Sequence, residues 1–216
     1  MVKNILVFTL PGVFVNSAPW KNASKLWFLR VYTETKDKQM LMWSERGEDF
    51  QIGVNLAMHN LMPEATEDKK DNEIRQRFTE AIIQGVKNTT NLMNSEVVEY
   101  FRKLKNKNLL VLLSTTKQES INRVLDALNL NDLFDIVIYQ ENKETQEQLM
   151  EKLIKKYSLP SIFIGGNRKD CFYFCKNNNI PCIYLNLENI PGNKDIPSVS
   201  SIKELVKFLN EKVKIT

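Results

Sequence analysis

The sequence predicts an α/β fold, a doubly wound parallel sheet with an inserted α-helical subdomain, and three observations carry that expectation. The strand-like segments are near-continuous apolar runs rather than alternating ones, as in sheets covered on both faces. From Leu109 onward strand and helix signals alternate strictly, which is the βαβ pattern. Between the first strand signal and the second lies a long stretch of helical periodicity, so one helical block interrupts the sheet.

Taken in order, residues 4–10 are an apolar run stopped by Pro11-Gly12, a buried strand ended by a turn. From Trp20 to about Met93 the period is helical, clearest in Ile74, Phe78, Ile82 and Val86. Trp20, Trp27 and Trp43 all fall there, as fillers of a small bundle core. The charged, Pro-preceded stretch 64–72 reads as a loop between helices. Residues 109–113 form the second strand, followed by Ser114-Thr115-Thr116 and an amphipathic helix carrying Ile121, Val124, Leu125 and Leu128. Strand 135–139 leads to a helix over about 144–157, and strand 161–164 leads through Gly165-Gly166 to a helix near 169–177. Strand 182–185 precedes a final helix over 202–213. Residues 1–16 and 95–216 are therefore expected to build the α/β domain and 17–94 the helical insertion, with the ligand crevice at the strand C-terminal ends.

Composition bounds the function. The 216 residues are 43% hydrophobic with mean hydropathy −0.33, and the longest apolar runs fall far short of the roughly 20 residues of a spanning helix. The first ten residues lack a signal-peptide layout, so a cytoplasmic location is the default and no membrane partner is expected. Thirty basic and 26 acidic residues are mixed along the chain, which excludes a nucleic-acid footprint, and the basic stretch 102–107 reads as a solvated helix end. Cys171, Cys175 and Cys182 lack a C-x-x-C motif and read as reduced, buried thiols rather than a metal site. The single histidine, His59, falls in an apolar helical stretch and supports no triad.

The strand-end residues are the informative ones. The first strand reads Ile5-Leu6-Val7-Phe8-Thr9-Leu10-Pro11-Gly12-Val13, the second ends at Ser114, Lys143 follows the third, and the fourth runs into Gly165-Gly166-Asn167-Arg168-Lys169-Asp170. This order of parts, from Ile5 to the region of Pro197-Ser198-Val199 and Leu205, resembles the haloacid dehalogenase-like (HAD) superfamily. Within it the likeness is to the phosphoglycolate phosphatase and beta-phosphoglucomutase type, with a helical cap after the first strand. The resemblance implies Asp-x-Asp-Gly at the end of the first strand, one aspartate attacking phosphorus and the other handling the leaving-group proton. Thr9 and Pro11 stand there instead: a neutral hydroxyl that needs a base, and a residue with no proton to give.

The resemblance also implies a Ser or Thr that holds a phosphate oxygen, a lysine that neutralises it, and acids that hold Mg²⁺. Ser114, with Thr115 adjacent, fills the first position, though such a hydroxyl also starts turns, and Thr116 could cap the next helix. Lys143 fills the second with Glu144 in place of the usual proline; the competing reading is a solvent-exposed loop lysine. At the third, only Asp170 survives, a thin site for a hard ion that wants several oxygens, so Asp170 reads instead as a helix cap or the partner of a base.

The resulting expectation is a family member with no catalytic residues and no metal cofactor, in which Thr9, Ser114, Thr115, Lys143 and Asp170 line a ligand pocket. Its partners would be a small phosphorylated ligand or anion, a protein partner, or a second copy of itself. The alternative is a divergent phosphatase or other hydrolase acting on a small phosphorylated metabolite, with Thr9 or a cysteine as a relocated nucleophile. His59, Glu45 or Glu48 would then reach in from the helical insertion.

Overall fold

The computed structural model describes residues 4–45, 50–167, 169–190 and 194–213. In chain order they form β1 (Asn4–Phe8), then α1 (Ala18–Thr35), α2 (Gln39–Glu45), α3 (Phe50–Leu61) and α4 (Glu67–Asn88). There follow α5 (Ser95–Leu104), β2 (Asn108–Ser114), α6 (Gln118–Leu128), β3 (Ile136–Tyr139), α7 (Gln146–Lys156) and β4 (Ile162–Gly165). The chain closes with α8 (Phe172–Asn177), β5 (Cys182–Leu185), β6 (Ser198–Val199) and α9 (Ile202–Lys212). The chain divides into two units, one from residues up to Asn16, Asn91–Leu125 and Asn129 onward, the other from Ser17–Thr90 with Asp126–Leu128.

The first unit is the α/β fold expected from the apolar runs. Its six strands are all parallel in the order β3-β2-β1-β4-β5-β6, with β1 in the interior and Phe8 aligned with Leu112 on one side and Ile164 on the other. Both faces of the central strands are covered, which is why they lack a polar alternation. Ile5, Val7, Val111, Leu113, Phe163 and Tyr184 share a core with Leu149, Met150 and Leu153 of α7 and Phe172 and Cys175 of α8. Phe8 points the other way into an aromatic cluster, its ring centroid 5.2 Å from Phe14, 4.6 Å from Phe101 and 6.4 Å from Phe134. The edge strand β3 is only half-buried throughout.

The second unit is helical in all its described elements. Trp27, Phe28 and Val31 of α1, Met40 of α2 and Val54, Ala57 and Met58 of α3 form its buried core, with Trp43, Ile74 and Phe78 packed against it. Trp43 stacks on Phe28 at 6.4 Å between centroids, while Trp20 is half-buried. Arg77 of α4 reaches Glu34 of α1 at 2.7 Å, and Arg30 of α1 reaches Glu80 of α4 at 3.3 Å.

One sequence expectation gives way here, and one strand is new. Residues 67–72, read as loop, are the first turns of α4: Thr66 takes an extended N-cap backbone, and Glu67 and Asp68 place negative charge at the helix N-terminus. The strand β6 was not anticipated, because two residues are too short to show a period. The basic stretch 102–107 is tied down locally, Arg102 to Asp132 at 3.2 Å and Lys105 to Asp135 at 3.8 Å. No helix among the described residues is long and apolar enough to cross a membrane.

Candidate functional site

In an open parallel sheet the ligand crevice lies where the strand order reverses, outside the strand C-termini. Here that point is between β1 and β4, and it brings Thr9 and Asp170 together. Thr9 continues the ladder one residue past β1, its backbone N–H donating to the Ile164 carbonyl at 3.3 Å. Its side chain is buried, 5% exposed. The Thr9 hydroxyl donates to Asp170 Oδ2 at 3.0 Å and accepts from the Gly166 N–H at 3.0 Å.

Asp170 reaches Thr9 because the chain after β4 turns back sharply. The Asp170 N–H donates to the Asn167 carbonyl at 2.9 Å, and the Asn167 side chain accepts from the Lys169 N–H at 3.0 Å. Asp170 Oδ2 also accepts from the Asn167 N–H at 2.9 Å, and Oδ1 accepts from Gln146 Nε2 at 3.4 Å. Gln146 Oε1 in turn accepts from the Cys171 N–H at 2.7 Å. The side chain of Asp170 is thus committed inward, and the expectation that it caps the following helix is not met: the N-cap of α8 is Cys171. Asp170 is half-buried, and desolvation pushes its carboxyl above the usual carboxylate range, against the pull of its hydrogen bonds from Asn167, Thr9, Gln146 and Gly166.

Backbone fills the space beside this pair. Gly12 has φ +81°, and a methyl group there would lie 2.2 Å from the Gly166 carbonyl oxygen; one on Gly166 would lie 2.2 Å from the Pro11 carbonyl oxygen. The turns after β1 and β4 therefore touch main chain to main chain. A methyl on Gly165 would stand 2.6 Å from Asp170 Oδ2, so the carboxylate lies directly over that glycine.

The remaining candidates are not joined to this pair by a described hydrogen bond. Ser114 closes β2 at the same edge of the sheet, half-buried, and its Oγ accepts from the Thr116 N–H at 3.2 Å, a local turn. Thr115 is exposed. Thr116 stands outside α6, which begins at Gln118. Lys143 is exposed in the β3–α7 loop with a left-handed backbone, φ 60°. Glu45 and His59 are exposed at the ends of α2 and α3, while Glu48 and Arg168 lie outside the described residues.

The β3–α7 loop is organised by Glu144, which occupies the place of the proline that the family resemblance implies. Its carboxylate accepts from the Glu141 and Asn142 N–H groups at 2.8 and 2.7 Å and pairs with Lys152. The Lys152 contact, then the Asn142 amide, hold its pKa down at about 2. A lowered carboxylate pKa contributes stability that is present above the unfolded value and lost as pH falls through the folded one. Amide protection of Glu141 and Asn142 is therefore expected to drop between about pH 4.5 and pH 2, and Glu144→Gln to remove that acid dependence, as read by hydrogen exchange.

All three cysteines are buried and free. Hydrogen bonding to Cys175 and burial push the Cys171 thiol far up, and burial raises Cys182 to about 11. These are protonated thiols, poor nucleophiles.

Magnesium, which the family resemblance implies, needs several oxygen ligands, ordinarily including one or two carboxylates. Among the described residues the site offers one carboxylate, and both its oxygens already accept N–H or O–H donors. Among the described residues no group of three His, Cys, Asp or Glu side chains could hold a metal ion. The donor set does not fit the ion.

Gln146 was missed in the sequence, though the signal was present: Thr145 and Gln148 form a capping box that starts α7 at Gln146.

A parallel sheet with strand order 3-2-1-4-5-6 and its strand-end turns meeting beside the first strand defines a Rossmann-like α/β protein. The family model of haloacid dehalogenase-like hydrolases matches residues 27–185, and the chain belongs to that family. Among solved structures it is similar to a HAD phosphatase from Thermococcus onnurineus, with TM-score 0.62, 16% identity, and 96% of this chain and 98% of that one covered. It is likewise similar to a 2-haloacid dehalogenase from Pseudomonas syringae pv. Tomato DC3000, with TM-score 0.62, 12% identity and coverage of 97% and 99%. A predicted phosphatase from Clostridium acetobutylicum gives TM-score 0.65, 18% identity and coverage of 98% and 100%. No curated protein matches the chain in sequence.

Proposed function

We propose that this family member does not hydrolyse phosphoesters and acts as a binding or interaction protein on the hydrolase fold. The observation that carries the reading is the closed pair at the switch point: the Thr9 hydroxyl and the Asp170 carboxylate satisfy each other and the neighbouring amides. A carboxylate nucleophile would form an acyl phosphate that water hydrolyses, whereas Thr9 offers a neutral alcohol and Pro11 no acid. Losses of groups that act as a unit do not leave proportionate remnants of activity. The exposed apolar side chains Leu41 and Met42 of α2 and Ile52 and Leu56 of α3 suit a protein that works through contacts. If the ligand is a phosphorylated metabolite or an anion, Ser114, Thr115 and Lys143 are the residues left to hold it, because the amides of Gly166 and Asn167 already donate inward.

One observation favours a second reading. The 3.0 Å bond from Thr9 to Asp170 has the form of a nucleophile beside a base, with Gln146 orienting the base. Sequence alone showed no acid near Thr9. Against it stand the burial of Thr9, the Gly166 amide on the same oxygen, and the backbone contact of Gly12 with Gly166, which crowd the approach of an electrophile. Hydrolysis of a panel of phosphoesters, with Mg²⁺ and with EDTA, decides between them. Rates at the level of buffer are expected for both the native protein and Thr9→Ala; turnover that disappears in Thr9→Ala would establish the second reading.

A further inference from the structure

We propose that Asp170, the one acid left at the metal-holding position of the family, is a structural latch in this chain: with Thr9 it fastens the turn after β4 to the end of β1, and the joint needs no divalent cation. The inference concerns the same site as the proposed function but does not depend on it, since a metal-free joint is compatible with lost or with relocated chemistry.

Three features support the latch. The first is the direction of the hydrogen bonds. The backbone N–H of Cys171 can only donate, so the oxygen of the Gln146 amide must face it, at 2.7 Å, and the NH₂ end must face Asp170 Oδ1. A cation on that oxygen would meet an N–H donor held in place by the main chain. The other oxygen is occupied in the same sense, by the Thr9 hydroxyl and the Asn167 N–H. Every described group that hydrogen-bonds to this carboxylate presents hydrogen to it, where a hard cation requires oxygen lone pairs.

The second feature is space. Gly165 lies under the carboxylate closely enough that a methyl group would be 2.6 Å from Oδ2, and Gly12 and Gly166 touch through their backbones. An octahedral ion with its waters needs room that these turns fill.

The third is reach. Thr9 and Asp170 are 161 residues apart in sequence, and Gln146 stands at the start of α7, so the network joins three separate strand ends or helix starts of one unit. Hydrogen bonds to a charged group are the stronger ones, and removing one partner strands the others.

The test is thermal unfolding of the full chain in EDTA and in millimolar Mg²⁺ or Mn²⁺, with electron paramagnetic resonance of Mn²⁺ as a direct reading of binding. The native midpoint is expected to be the same in all three solutions and the Mn²⁺ signal undiminished by the protein. Asp170→Ala and Thr9→Val are each expected to lower the midpoint by about 3–8 °C, and the double variant by less than their sum, because both remove one joint. Asp170→Asn keeps an oxygen for Thr9 and Asn167 but turns its NH₂ toward that of Gln146, and should lower the midpoint by less than Asp170→Ala. A rise in the native midpoint with Mg²⁺ that Asp170→Asn abolishes, loss of the Mn²⁺ signal, or additive effects of the two single variants would overturn the latch. The two proposals fail separately: turnover in EDTA sinks the loss of hydrolysis and spares the latch, while metal binding without turnover does the reverse.

Discussion

Replacing Gly166 with alanine is expected to destabilise the protein by about 3 kcal/mol or more, and Gly12→Ala by at least as much. At both positions the added methyl group meets a carbonyl oxygen at 2.2 Å, and the neighbour is main chain, which cannot move aside as a flexible side chain can. Gly12 adds a left-handed backbone, φ +81°, that costs an alanine roughly 1–2 kcal/mol by itself. Relief requires the turns after β1 and β4 to separate, and separation breaks the Thr9–Gly166 and Thr9–Asp170 bonds. Urea unfolding reads the effect as a shift in midpoint. A loss below about 1 kcal/mol in both variants would mean that the two turns are not packed as described.

Phe8→Ala is the second large effect, a loss of about 3–5 kcal/mol. Phe8 is fully buried on a central strand and contacts the rings of Phe14, Phe101 and Phe134, so its removal opens a cavity between β1, α5 and the segment before β3. The rigid parallel strands on either side, paired at Leu112 and Ile164, limit collapse into that space. A ring-sized hole that relaxed fully would cost only the lost transfer free energy, at the low end of the range.

The interior strands were legible because burial on both faces writes itself into composition: residues 4–10, 109–113 and 161–164 have little choice but an interior sheet. The helical character of the insertion was legible from the spacing of Ile74, Phe78, Ile82 and Val86 on α4. Residues 67–72 were misread because charge density argues for solvent exposure, and an exposed helix start meets that condition as well as a loop does. At the site, Thr9 and Asp170 were each recognisable by position, but their bond was not. A contact across 161 residues leaves no periodicity, and a side chain that faces inward from a tight turn has the same sequence as one that faces out. The absence of a base near Thr9 in the local motif was therefore no guide to its surroundings.

The most direct test of the central claim, that the strand-end site performs no phosphoryl chemistry, is a rapid-mixing experiment with a chromogenic phosphoester in excess over protein, in the presence of Mg²⁺. A family member with a competent nucleophile releases up to one equivalent of alcohol in an initial burst when the covalent intermediate accumulates, followed by steady turnover. This protein is expected to show neither, with traces for native chain, Thr9→Ala and buffer superimposed. A burst or a steady rate above buffer that is lost in Thr9→Ala would contradict the account.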